Sequence, residues 1–76
     1  MYYYVTVTNT SGAIIHRSSQ PTLTNVRTTR RDLINHFTTR DKDWQGDYPD
    51  TLTVTAVDPE ANTCIELTDL QVNFDY

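Results

Sequence analysis

Apolar and polar positions alternate in two stretches of the chain, and between them the pattern switches to a helical period. From Tyr2 to Thr8, Tyr3, Val5 and Val7 fall on one side of an extended chain, with Tyr2, Tyr4, Thr6 and Thr8 on the other. Asn9-Thr10-Ser11-Gly12 then supplies turn chemistry, Gly12 being free to take positive φ. Ala13 to Ser18 reads as the returning strand of a hairpin. Gln20-Pro21 breaks the ladder, because proline has no amide hydrogen to donate. Residues 22–28 suit either an extended chain or a helix starting at Asn25. Thr29-x-x-Asp32 has capping-box spacing, and Arg30 to Arg40 keeps a helical period, with Val26, Leu33, Ile34 and Phe37 in one apolar stripe. So short a helix is marginal alone in water and has to pack on the strands.

Asp41 to Asp50 is a polar connection interrupted by Gly46 and Pro49. Thr51 to Val57 alternates again, with Leu52, Val54 and Ala56 on one side. Asp58-Pro59-Glu60-Ala61-Asn62 turns the chain, and Thr63 to Leu67 pairs back. Leu70, Val72 and Phe74 continue a period of two after a bulge or turn at Thr68-Asp69. The expected fold is one α+β domain over residues 1–76, in ββαββ(β) order. It has an antiparallel four- to five-stranded sheet with one helix on one face. The other face is then partly open. Alternation sends Tyr2 and Tyr4 to the side opposite Tyr3, either as an exposed aromatic patch or as cover for threonine-rich sheet.

Size and composition narrow the setting. At 76 residues there is no room for a second core, and a chain this short buries only about 60% of its unfolded surface. Cys64 is the sole cysteine, so an intramolecular disulfide is excluded and a reducing, cytoplasmic setting is expected. The amino terminus lacks a basic leader, and no apolar run approaches the ~20 residues of a spanning helix. Neither secretion nor membrane insertion is expected, and Asn9-Thr10-Ser11 reads as a turn rather than a glycosylation site.

The formal charge of −4 hides a division. Residues 1–40 carry Arg17, Arg27, Arg30, Arg31 and Arg40 against Asp32, a net +4. Residues 41–76 carry Lys42 against nine acids, a net −8. Such asymmetry favours a partner steered by charge.

Candidate chemistry is sparse. Asp41, Asp43, Gln45 and Gly46 match the first ligand positions and the glycine of an EF-hand loop, but Leu52 stands where the bidentate Glu belongs. A solvated acidic loop accounts for the same residues. Cys64 has no sequence neighbour that would activate a thiolate, and His16 and His36 do not complete a zinc pattern. His36 lies four residues from Asp32, a spacing for a helix-surface pair. Two glycines cannot make a phosphate-cradling loop. Neither enzymatic activity nor a cofactor is expected. Arg27, Arg30, Arg31 and Arg40 could contact phosphates, yet nine acids on the same small body oppose a polyanion.

Trp44 and Tyr48 sit among aspartates with little nearby to bury them. Such rings either cap a thin core or anchor a partner. The expected partner-binding residues are Asp41, Asp43, Trp44, Asp47, Tyr48 and Asp50, the carboxylates steering and the rings anchoring.

The short length, the strand directly after Met1, the hairpin–helix–hairpin order and the acid-rich Asp41 to Asp75 together resemble the small anti-CRISPR inhibitors of bacteriophages. The resemblance involves no shared motif, so no residue role transfers. It implies stoichiometric binding to a protein with a basic, nucleic-acid-handling surface, with carboxylates standing where phosphates would sit. Two alternatives remain open: a nucleic-acid-binding module using the helix arginines, and self-association, as a homodimer for example, through an exposed strand edge.

Overall fold

A computed structural model of the chain describes residues 1–38 and 47–74. Strand β1 (Tyr2–Asn9) is followed by β2 (Ile14–Gln20), helix α1 (Leu23–Thr38), β3 (Pro49–Asp58), β4 (Thr63–Glu66) and β5 (Val72–Asn73). A 3-10 turn, Thr68–Leu70, separates the last two strands and occupies the interruption expected at Thr68-Asp69. The sheet runs β2-β1-β3-β4, and β5 pairs with β3. All pairings are antiparallel. β4 lies along Thr55–Asp58 of β3 and β5 along Thr51–Leu52, so the two short strands share one edge of β3 end to end. The α+β architecture, with one helix over one sheet face, agrees with the expectation.

The alternation in β1 and β3 sorts the two faces. Val5, Val7, Leu52 and Val54 are fully buried on the helix side, together with Val26 and the ring pair Phe37–Phe74. Those two rings meet edge to face at 5.8 Å, a favoured aromatic geometry. Tyr3 packs against this core from the same side. In β2, Val7 pairs with His16 and Thr8 with Ile14, which leaves Ile15 as the extra residue of a bulge. Ile15 also packs on the core.

The hairpin turn is organised by one side chain. Asn9 is buried, and its Oδ1 accepts the amide hydrogens of Ser11 (3.0 Å) and Ala13 (2.9 Å). Gly12, at φ 84°, completes the turn by donating its N–H to Asn9 O. At the second hairpin, Asp58 Oδ1 accepts from Glu60 and Ala61 N–H while Asn62 takes φ 54°. Asparagine tolerates that left-handed conformation better than most residues.

The helix begins earlier than the Thr29-x-x-Asp32 spacing indicates. Its cap is Thr22, whose Oγ1 accepts from Asn25 N–H at 3.2 Å, while Val26 N–H donates to Thr22 O at 3.1 Å. Proline at residue 21 ends β2 and Thr22 supplies the capping oxygen, so one short segment both stops the strand and starts the helix. Leu23 thereby joins Val26, Leu33, Ile34 and Phe37 on the packed stripe. Thr29 and Asp32 sit inside the helix.

Candidate acidic and aromatic surface

Of the six expected binding residues, Asp47, Tyr48 and Asp50 are described, while Asp41, Asp43 and Trp44 lie outside the described residues. Asp47 and Asp50 are exposed, and Tyr48 keeps 49% of its surface in contact with solvent. Pro49 between them is fully buried and anchors the segment to the core. As the first residue of β3 it takes the one strand position where a missing amide is tolerated.

Three hydrogen bonds fix this segment. Asn9 Nδ2 donates to Asp47 Oδ1 at 3.2 Å. Thr10 N–H donates to Tyr48 O at 3.0 Å, and Phe74 N–H donates to Asp50 O at 2.8 Å. The donors come from the first hairpin and from the end of the chain, far away in sequence. Asp47, Tyr48 and Asp50 therefore stand on a braced support at one end of the sheet, with two carboxylates flanking a phenol ring. Nothing in the local sequence signals the brace, because Asn9 reads only as a turn residue.

The calcium alternative loses its decisive position. Leu52, where the bidentate Glu would stand, is fully buried in β3. Among the described residues no group of three or more His, Cys, Asp or Glu could hold a metal ion.

The arginines are not equivalent. Arg30 is half-buried rather than on a solvated face, and its Nε donates to Leu70 O at 2.9 Å, tying the helix to the 3-10 turn. Arg31 lies 3.6 Å from Asp32, both exposed; such a surface pair contributes little. On the face away from the helix, Arg17 places its guanidinium 4.2 Å from the centre of the Tyr4 ring, a cation–π contact. Tyr2 meets Tyr4 edge to face at 5.3 Å, and hydrogen bonding to Tyr4 is the main cause that raises the Tyr2 hydroxyl above its ordinary pKa. Tyr2 and Tyr4 therefore do line the open face, where each is half-buried by its neighbours. The remaining centre of that face is a threonine array, with Thr8 and Thr51 hydroxyls 2.7 Å apart.

His16 has a measurable consequence. It lies opposite Val7 on the helix side, and partial burial, with the charge of His36 second, lowers its pKa below 6.5. The folded state thus prefers the neutral ring. As pH falls below 6.5 the unfolded chain takes up a proton first, so stability is complete above that value and declines towards the lower native one. Denaturation midpoints measured between about pH 5.5 and 7.5 should fall on the acid side, and His16→Gln should flatten the slope. An equal slope in the variant would assign the effect to other groups.

No protein family, curated protein or solved structure matches this chain. Among the described residues no helix is long and apolar enough to cross a membrane.

Proposed function

We propose that the protein is a non-enzymatic binding domain. It acts as a stoichiometric inhibitor in the manner of the anti-CRISPR proteins it resembles, docking its acidic, aromatic end on the basic surface of a nucleic-acid-handling protein. The observation that carries this reading is the braced Asp47–Tyr48–Asp50 segment. A half-exposed ring between two exposed carboxylates suits a cationic groove, the acids steering approach and the ring filling a desolvated contact. Bracing also matters, because a surface ordered in advance loses less entropy on binding. Asp41, Asp43 and Trp44 extend the same charged, aromatic sequence directly ahead of it.

Direct phosphate binding by the helix is the weaker reading. Arg30 is engaged with Leu70 O and Arg31 adjoins Asp32, which leaves Arg27 as the one exposed arginine of the described helix not engaged in this way.

The test is affinity capture from a host lysate with the native chain and with an Asp47→Lys/Tyr48→Ala/Asp50→Lys variant. The expected result is a basic nucleic-acid-binding protein retained by the first and lost by the second, with retention falling as salt rises. Equal retention by both would remove this end of the sheet from the account. A parallel anisotropy titration against single-stranded and duplex DNA should show no steep salt-dependent binding; a steep slope would favour the helix arginines instead.

A further inference from the structure

The two outer strands of the sheet differ in charge and match in geometry. β2 has Arg17 and His16 and no acid. β4 ends in Glu66; Asp58 at the end of β3 and Glu60 and Asp69 in the flanking turns add acids, with no base. All four residues of β4 are exposed.

The backbone pattern at these edges follows from one bond. Leu67 N–H donates to Val54 O at 2.8 Å. Peptide groups in an antiparallel ladder alternate in direction, so Val54 and Ala56 face β4 while Thr53 and Thr55 face β1. Carried through the registers, this turns the amides and carbonyls of Cys64 and Glu66 outward at one edge, and those of Arg17 and Ser19 outward at the other.

We infer that the protein assembles with further copies of itself, the β2 edge of one copy pairing antiparallel with the β4 edge of the next. A second copy placed in the same orientation brings its β2 beside β4 in the antiparallel sense. Glu66 then lies opposite Arg17 of the next copy, Ile65 opposite Ser18 and Cys64 opposite Ser19. In this register the outward backbone groups meet each other. Residues of one parity stay on one face, so Glu66 and Arg17 share the open face and Ile65 and Ser18 the helix face. Ile65, 62% exposed, gains cover.

Charge selects this arrangement over the symmetric ones. A twofold β2–β2 contact joins two basic edges, and a β4–β4 contact joins two acidic ones; like charges across strands are destabilising. A head-to-tail contact leaves a free edge at each end of the pair, so it continues beyond two copies, into a ring or an open filament according to the rotation between copies. The sheet twist, about −20 to −25° per strand, turns the growing sheet into a helical ribbon.

This surface is separate from Asp47, Tyr48 and Asp50, so the inference stands or falls independently of the docking proposal. The experiment is sedimentation of the full chain over a concentration series, with circular dichroism to confirm folding. Mass should rise with concentration beyond two copies. Arg17→Glu and Glu66→Arg should each weaken association about fivefold to tenfold, and the double swap should restore it. Ser19→Pro, which removes an outward donor without touching the β1 ladder, should abolish it. A mass of one chain at every concentration, growth that stops at two, or a double swap no better than the single variants would each overturn the inference.

Discussion

Leu52→Ala should remove a large share of the folding free energy, about 2–5 kcal/mol. The side chain is fully buried, in a strand that pairs with β1 on one side and β5 on the other, opposite Val7 and Val72. Truncation loses both the transfer energy of the removed carbons and the contacts of a cavity that this site cannot collapse into. Strands on both flanks and the helix above hold its walls apart. Against a total of about 4–11 kcal/mol for a chain of this length, the loss brings the variant close to its unfolding threshold. Chemical denaturation reads it directly. A loss under about 1 kcal/mol would mean that the core near Leu52 relaxes freely and is less tightly built than its burial implies.

Asn9→Ala should cost about 2–3 kcal/mol, since it strips three hydrogen bonds from a buried position and leaves two amide donors of the turn without their acceptor. The same substitution should weaken partner capture although Asn9 is buried, because the donor that steadies Asp47 is gone. Asn9→Asp separates the two roles. Its carboxylate still accepts from Ser11 and Ala13, so the turn should persist, but it now faces the Asp47 carboxylate where an amide donated. Hydrogen exchange should then quicken at the Thr10 amide, which donates to Tyr48 O, while the hairpin register stays protected. Unchanged exchange at that amide in both variants would show that Asn9 does not brace the segment.

Both predictions turn on residues whose sequence context is ordinary. Leu52 sits in a stretch whose alternation marks it as inward-facing, and the structure agrees. For Asn9 the sequence signals a turn and nothing further, because its bond to Asp47 spans 38 positions. Arg30 shows the opposite failure. Helical spacing assigned it to solvent with Arg27 and Arg31, yet it reaches a carbonyl 40 residues away. A long side chain at the border of an apolar stripe can go either way, and what lies across from it decides.

The helix start shows packing overriding a local signal. Thr29 and Asp32 have capping spacing, yet the structure places the cap at Thr22. Starting at Thr22 adds Leu23 to the buried stripe and extends the ladder of helical bonds, so packing favours the earlier cap. The sheet order has no local signal at all. β5 returns to β3 in line with β4, rather than adding a strand outside it, after a 3-10 turn that Arg30 ties to the helix.

From the sequence alone come the element types, the two hairpin turns, the facing of β1 and β3, and the lopsided charge. These are properties of neighbouring residues: a period of two, a period of 3.6, a proline, a glycine. Only the tertiary structure decides the order of strands, which edges stay open, and whether the acidic segment is held or loose. Those depend on contacts between residues far apart in the chain, whose gain must outweigh the entropy of bringing them together.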